Sequence, residues 1–317
     1  MFLGEIISII VCICWSASAL FGQVAARGIG SAMPLNVLRM VLSLLLLSLS
    51  MWWVCGTPYP VHADGETWMW LTLSGLMGYV LGDYCLFNAY IIIGARFGQL
   101  FMTLAPPAAA LAGWMLLGEM MSPMALLGML ITVTGISLSI LGKKDEESHT
   151  RLRLPLKGII FGIGAGVGQG VGLVLSKLGI EHYEQRIQTI LADDPVQQTA
   201  MLDAMPMSAT FIRAVTGLIC FTIALFYIHE QQTVVKSLKK GKLMLIILLA
   251  TITGPFVGVS LSLKATLYTS TGIAQTIMAC TPILVLWPSH VLFKQKVTMR
   301  EVIGAVISVV GVALFFV

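Results

Sequence analysis

The sequence predicts an all-α membrane protein in which ten transmembrane helices form two five-helix repeats of inverted topology. Three observations predict this fold class. Of the 317 residues, 57% are hydrophobic and only 11% are charged, with a mean hydropathy of +0.90, so polar groups are too few to cover a soluble surface. Apolar segments of bilayer-spanning length recur along the whole chain. A long stretch of sequence also occurs twice.

Ten apolar segments approach or exceed the roughly 20 residues needed to cross a bilayer. Each is predicted to be helical, because backbone groups in hydrocarbon must be hydrogen-bonded within their own segment. Numbered 1 to 10, the segments lie at about 3–26, 33–55, 67–92, 97–117, 123–142, 156–179, 207–229, 243–267, 272–292 and 298–317.

The internal repeat divides these segments into two groups of five. Residues 99–141 match residues 275–317 when the chain is shifted by 176 positions without a gap, and Pro106 then meets Pro282. The same shift places segment 3 on segment 8. Because five is an odd number, the second repeat enters the membrane from the opposite side, which predicts an inverted-topology repeat.

Two loops bear on the domain organisation. The charged sequence KKDEESHTRLRLP at 143–155 is the predicted linker between a first repeat at 1–142 and a second at 156–317. The other long loop, residues 181–206, is predicted to hold a short amphipathic helix that lies on the membrane or caps an entrance, or to be a plain surface connection.

Basic residues concentrate in the loops that follow the odd-numbered segments, and the opposite side has only Lys177 and Arg186. The positive-inside rule makes the basic side cytoplasmic and places both termini on the other side of the cell membrane. The basic side carries Arg27, Arg96, Lys143, Lys144, Arg151, Arg153, Lys157, Lys236, Lys239, Lys240, Lys242, Lys294, Lys296 and Arg300.

Several motifs, in this order, resemble the EamA family of the drug/metabolite transporter superfamily. They are LRM at the start of segment 2, GDYCLFNAYIIIGA running into LAPPAAAL, and LGEMMSP followed by LLGMLITVTGISL. The resemblance covers nearly the whole chain. It implies two five-helix halves that face each other around a central cavity, and a function in moving small organic molecules across the membrane. It also implies cytoplasmic termini, whereas the charge distribution favours the opposite orientation.

Asp83 is the first candidate for the substrate or ion pathway. It lies roughly 5 Å from the middle of segment 3, where a carboxylate is unfavourable unless it faces a partner or water. It could load and release a proton as the site opens to each side, or it could be a structural contact bonded to a neighbouring helix. Its repeat equivalent is Val259. Asn88 and Lys264 occupy equivalent positions nearer the two membrane faces, where Lys264 is predicted to extend to the interface or to contact an outer vestibule.

Proline breaks two equivalent helices. Pro106 and Pro282 lie at the centres of segments 4 and 9, and each lacks the N–H that would bond the carbonyl of Met102 or Met278. These carbonyls become acceptors for water, a side chain or substrate, although plain structural kinks are the alternative. Broken helices at matching positions are a sequence pointer to a transporter site. The nearest amides are also candidates for its lining: Gln99 and Gln275.

Segment 6 contains GIGAGVGQGVG at 162–172, a spacing that predicts close helix contacts and not a phosphate loop, since no strand precedes it. Aligning segments 1 and 6 places Gln169 at the position of Trp15. This pair could face one cavity and contact a planar solute, or could be ordinary packing. Arg39 and Arg213 are predicted to be structural anchors at the starts of segments 2 and 7, which extend to the interface or pair with a loop carbonyl.

We therefore expect a multi-pass cell-membrane protein that is a secondary transporter, an exporter or exchanger, of a small organic metabolite or xenobiotic. Alternating access would occur around a cavity lined by segments 1, 3, 4, 6, 8 and 9, with proton coupling as an open option. The lipid bilayer and a small molecule are the expected partners, with no nucleic acid, in a monomer or homodimer. No metal or cofactor is predicted. The alternatives are a membrane-embedded enzyme, which lacks a second membrane-depth aspartate, and a receptor or scaffold.

Overall fold

The computed structural model describes residues 3–118, 122–140, 154–268, 277–294 and 297–314, and these ranges form helices and no strand. Up to residue 140 the helices are α1 (Leu3–Ile29), α2 (Ala32–Cys55), α3 (Gly65–Gly75), α4 (Tyr84–Ile92), α5 (Ala95–Met102), α6 (Ala105–Leu117) and α7 (Pro123–Ile140). After residue 154 they are α8 (Leu156–Ile190), α9 (Pro195–Tyr227), α10 (Gln231–Leu238), α11 (Gly241–Thr251), α12 (Val257–Tyr268), α13 (Thr281–Phe293) and α14 (Met299–Ala313).

The described helices account for a multi-pass membrane protein. Each predicted apolar segment coincides with a helix, or with consecutive helices, over its described residues. Two apolar helical stretches are shorter than a bilayer crossing, Leu126–Ser139 and Thr281–Phe293. Six in the described part are long and apolar enough to cross a membrane: Leu3–Ile29, Ala32–Cys55, Ala95–Leu116, Leu156–Ile190, Pro195–Tyr227 and Gly241–Ser262.

Two π-helical turns interrupt the helices at matching positions of the repeat. The first, π1 (Leu76–Asp83), joins α3 to α4, and the second, π2 (Ile252–Phe256), joins α11 to α12. Their first residues are 176 positions apart. A π turn changes the direction in which the following side chains point, and such turns are frequent at functional sites. Asp83 is the last residue of π1.

Residues 181–206 do not form a separate surface helix. α8 continues to Ile190 and α9 begins at Pro195, so both helices extend beyond the predicted segments and meet at a short turn. Buried apolar side chains hold the two extensions together, including Tyr183, Ile187 and Met201. The prediction of a short amphipathic helix is therefore wrong, because this apolar contact continues two long helices past the hydrophobic segments.

Helices α7 and α14 pack through equivalent residues. Thr132 Oγ1 donates to the Ser308 carbonyl at 3.4 Å, Ser308 Oγ donates to the Thr132 carbonyl at 3.3 Å, and the two residues are 176 positions apart. A Cβ added to Gly135 would lie 2.6 Å from the Gly304 carbonyl oxygen, and one added to Gly311 would meet Thr132. The helices therefore run antiparallel with their backbones in close contact.

The glycine run of α8 faces π1, as the predicted close approach requires. A Cβ on Gly168 would lie 2.9 Å from Gly82 Cα, and a Cβ on Gly172 would lie 2.9 Å from Gly78 Cα. Real Cβ atoms do not come so near to a backbone, so only glycine permits this contact. The close packing predicted from the glycine spacing is confirmed, and it brings α8 side chains against the residues that precede Asp83.

Candidate functional site: a buried arginine–aspartate centre

Asp83 lies in a buried hydrogen-bonded centre between helices from both parts of the chain. Arg39 Nη1 of α2 donates to Asp83 Oδ2 at 3.0 Å, and Gln169 Nε2 of α8 donates to Asp83 Oδ1 at 3.0 Å. Only 6% of Asp83 and 5% of Arg39 is exposed. Such a carboxylate is stabilised by charge-assisted bonds on both of its oxygens. The contact with a neighbouring helix, one of the two sequence interpretations of Asp83, is present.

Arg39 has partners on three sides. Besides Asp83, Nη1 donates to Asn36 Oδ1 at 3.1 Å, and the guanidinium lies 4.3 Å from the centre of the Phe87 ring. A cation over an aromatic face is attracted by the ring quadrupole. The prediction that Arg39 is an interfacial anchor is wrong, because its side chain points into the protein and finds a carboxylate there.

A second arginine reaches the same region from α9. The Arg213 guanidinium lies 4.9 Å from the centre of the Tyr79 ring, in π1. A Cβ added at Gly78 would lie 2.6 Å from Arg213 Nη2, so the absence of a side chain at this glycine makes room for the guanidinium. Arg213 is the nineteenth residue of α9, because that helix begins at Pro195. It is thus far from the start of its helix, where the sequence analysis had placed it.

Gln169 and Trp15 make matching contacts in the two parts of the chain. Gln169 also donates to the Gly78 carbonyl at 3.0 Å and packs on Gly82, while the Trp15 indole packs on Gly258, where a Cβ would lie 2.6 Å from Nε1. Gly82 and Gly258 are 176 positions apart. The side chains at the two aligned positions therefore sit on equivalent glycines, and Gln169 alone of this pair bonds Asp83.

The proline breaks occur where they were predicted. α5 ends at Met102 and α6 begins at Ala105, so Pro106 lies in the first turn of α6; Pro282 lies in the first turn of α13. The Met278 carbonyl accepts a hydrogen bond from Thr281 Oγ1 at 2.7 Å. Pro282 has no N–H to donate to this carbonyl, and the Thr281 side chain donates a hydrogen bond in its place.

Pro282 lines a small cleft away from Asp83, next to a second buried ion pair. Arg96 Nη1 of α5 lies 2.8 Å from Glu301 Oε2 of α14, and Glu301 is 2% exposed. The Arg96 guanidinium also lies 4.7 Å from the Phe97 ring centre. This pair ties an early helix of the chain to its last described helix. The cleft is lined by Arg96, Phe97, Leu100, Ser139, Pro282, Leu286, Glu301 and Ala305.

The remaining described candidates make contacts other than hydrogen bonds to Asp83. Gln99 Nε2 donates to Tyr90 Oη at 2.6 Å, and Asn88 Nδ2 donates to the Tyr84 carbonyl of its own helix at 2.8 Å. Lys264 is exposed, which fits both its extension to the interface and the alternative contact with an outer vestibule. Met102 packs against the main apolar core, and Met278 packs with Trp15 in another cluster. Gln275 lies outside the described residues.

A polar cluster joins the start of α3 to the extension of α8. Asp64 accepts a hydrogen bond from the Thr67 backbone N at 3.0 Å, and its Oδ2 lies 3.1 Å from His182 Nε2 and 3.4 Å from Arg186 Nη1. The Thr67 amide and then His182 hold the pKa of Asp64 below its usual range. In the described part of the chain no group of His, Cys, Asp and Glu could hold a metal ion.

Sequence reasoning singled out Asp83 and Gln169 as candidates but missed the groups that contact them. Arg39, Arg213 and Tyr79 were either assigned to the interface or not singled out. The available signal was the repeated AMP motif, which precedes Arg39 in segment 2 and Arg213 in segment 7. An arginine kept after the same motif inside two apolar segments indicates an intramembrane role.

Comparisons with known proteins agree with this architecture. The EamA-like transporter family matches residues 2–141 and 194–317. The fold matches 16 chains of solved structures. One of them, described as "Crystal structure of protein", is 15% identical, with a TM-score of 0.56 over 98% of this chain and 95% of that chain; at this identity the likeness shows the fold alone. No curated protein matches the chain. Because the family match extends over most of the residues, the chain belongs to the EamA-like transporter family.

Proposed function

We propose that this protein is a secondary transporter, an exporter or exchanger, that moves a small organic metabolite or xenobiotic across the cell membrane by alternating access. The observation that carries the proposal is the buried centre at Asp83. Charged side chains within apolar helices are unfavourable and mark substrate or ion pathways. Here Arg39 and Asp83 come from the first part of the chain, and Gln169 comes from the second. A relative movement of the two parts would therefore change the contacts of Asp83.

The proposal includes ten crossings in two inverted halves, 1–142 and 156–317, with 143–155 as the linker. Support comes from α7 and α14, which run antiparallel and exchange hydrogen bonds between Thr132 and Ser308. Reciprocal contact of equivalent residues is what a two-fold axis between halves requires. The matching positions of π1 and π2 support the same relation. Halves related in this way can rock about a central site to open each side in turn.

Asp83 is proposed as the coupling or substrate-binding group, and proton coupling remains part of the hypothesis. A carboxylate that is bonded to Arg39 in one state can be released when the helices separate, and it can then take up a proton or a substrate group. The other predicted pathway residues stay predictions. Of these, Gln169 has the strongest support, since it shares the carboxylate.

The test is flux in reconstituted vesicles. Purified protein in proteoliposomes should exchange a labelled solute that empty vesicles do not, and Asp83→Asn should reduce this flux at least about tenfold, as expected for loss of a charge-assisted contact. Asp203→Asn is the matched control, because Asp203 is exposed on α9. Flux of Asp83→Asn equal to that of the wild type, with and without a pH gradient, would remove Asp83 from the mechanism.

A further inference from the structure

The charges at the centre do not cancel. Two guanidinium groups, Arg39 and Arg213, approach π1 from different helices, and Asp83 is the single carboxylate that pairs there with either of them in the described part of the chain. Arg39 is held by Asp83 at 3.0 Å. The ion pairs of the described residues do not include Arg213. One positive charge among these apolar helices therefore has no counter-ion in the part of the chain that the structure describes.

An uncompensated arginine in such surroundings is costly. A charge removed from water needs an opposite charge or several hydrogen bonds to offset its lost hydration. The Tyr79 ring supplies part of this through its face, at 4.9 Å, but a ring does not accept the guanidinium protons as an oxygen would. Arg213 Nε is buried and has no hydrogen-bond partner. In the described part of the chain, this Nε donor of Arg213 therefore meets no acceptor.

Neighbouring groups are donors as well. Tyr79 is 5% exposed and its hydroxyl has no hydrogen-bond partner, and Arg39 Nε also lacks one. The Tyr79 hydroxyl lies within electrostatic range of Arg213, Asp83 and Arg39. A guanidinium has five donors and no acceptor, and a phenol can donate one hydrogen bond. A ligand that satisfies this set must carry several acceptor oxygens close together and a negative charge.

Of the two arginines, Arg213 is the one that a ligand can reach. It is partly exposed, whereas Arg39 is buried and committed to Asp83 and Asn36. Gly78 has no side chain and so leaves room for this guanidinium beside π1, next to the Tyr79 ring. An incoming anion could therefore meet Arg213 first without breaking the existing ion pair.

From these contacts we propose that the central site binds a small organic anion, a carboxylate, sulfonate or phosphate monoester, with Arg213 as its anion-binding group and the Tyr79 hydroxyl as a second donor. This inference rests on the proposed transport function and narrows it to a substrate class. Guanidinium groups suit these ligands because their planar fork can donate two parallel hydrogen bonds to two oxygens.

The experiment measures binding to purified full-length protein and does not depend on transport. Propyl, hexyl, phenyl and indolylmethyl skeletons are each supplied as the carboxylate, the sulfonate, the phosphate monoester, the primary amide and the amine. Apparent affinities come from ligand-dependent shifts of the thermal midpoint. At least one anion should stabilise the protein where its matched amide and amine do not, and the three anion series separate carboxylate, sulfonate and phosphate recognition.

Variants then test the assignment. Arg213→Gln should weaken binding of that anion about 10–100-fold, the loss of a charge-assisted bond, while Arg213→Lys keeps the charge and loses less. Arg27→Gln is the matched control, because Arg27 is exposed at the end of α1, and it should bind as the wild type does. A midpoint of unliganded Arg213→Gln close to that of the wild type shows that the variant is folded.

Three results would overturn the inference: stabilisation by amines or amides alone, no response to any anion, or anion binding that is unchanged in Arg213→Gln. These outcomes are separable from failure of the proposed function. Flux of a neutral or cationic solute in proteoliposomes, with no anion binding, would mean that the protein is a transporter but that the inferred substrate class is wrong. Anion binding that depends on Arg213, without flux of that anion or of any other solute, would keep the site and remove transport.

Discussion

The Arg39–Asp83 pair gives the sharpest prediction for stability. Asp83→Leu removes the carboxylate and leaves a guanidinium that is almost fully enclosed, since the two side chains are 6% and 8% exposed in the native pair. Removing one partner of a buried ion pair costs about 3–5 kcal/mol. Arg39 would still hold Asn36 Oδ1 and the Phe87 ring, so we expect the lower end of that range, about 3 kcal/mol.

Replacing both partners measures the interaction between Arg39 and Asp83 apart from the other effects of each substitution. Arg39→Met with Asp83→Leu exchanges two charges for apolar groups, and such exchanges are often close to neutral for stability. The double variant should therefore be more stable than Asp83→Leu alone, with a coupling energy of about 2–3 kcal/mol from the double-mutant cycle. The measurement is equilibrium unfolding in mixed detergent micelles, followed by circular dichroism. Both variants should lose transport, because the centre no longer carries a carboxylate.

The control cycle pairs Arg39→Met with Asp203→Leu, whose effects should add within about 0.5 kcal/mol because Asp203 is exposed. Hydrogen bonds between membrane helices average only about 0.6 kcal/mol in such cycles. A coupling energy at or below that value for Arg39 and Asp83 would refute the reasoning, since the pair would then contribute no more than an ordinary neutral contact.

Two further predictions concern the other charged clusters. Glu301→Gln weakens the charge-assisted contact with Arg96 by about 1–2 kcal/mol, so the helices at this end of the protein should separate more often. In a background without native cysteines, a cysteine placed at Leu100 should therefore be alkylated about 5–30-fold faster. Asp64→Asn should lower stability by about 0.5–1 kcal/mol at pH 7, because the partly exposed Asp64 then loses its ion pair with Arg186.

The controls follow from the same contacts. Glu301→Asp keeps the charge and should slow alkylation relative to Glu301→Gln; an unchanged rate in Glu301→Gln would mean that the pair does not hold that end closed. The native environment lowers the pKa of Asp64, so its contribution is complete above the unfolded pKa of about 3.9 and is lost as the pH falls through the folded pKa. The stability difference should shrink between pH 5 and pH 3, and a constant difference would contradict this account.

Hydropathy and glycine spacing predicted much of the fold because both depend on residues that are close together in the sequence. Apolar length places helices, proline breaks them at Pro106 and Pro282, and glycine permits contacts such as Gly168 on Gly82. The extensions of α8 and α9 were missed, because their residues are polar on one side and their apolar contact forms only between the two helices. Hydropathy alone cannot register that contact.

The pairing of Arg39 with Asp83 was missed for a related reason. Which residue faces which depends on the rotation of each helix about its axis, and π1 changes that rotation just before Asp83. The contact of Arg213 with Tyr79 was missed in the same way, since it joins α9 to π1. The pairing of charges between distant segments depends on how each helix is rotated about its axis, and a single sequence does not display that rotation.

The duplication explains why the centre is unequal. Both parts of the chain bring an arginine after an AMP motif, and both carry a π turn, but the 176-residue shift places Val259 opposite Asp83. Arg39 therefore pairs with Asp83, whereas Arg213 has no such carboxylate among the described residues. An equal pair of carboxylates would neutralise both guanidinium groups and leave no charge to attract a ligand. Two arginines with one aspartate leave a single position at which, in the proposed site, an external anion completes the set.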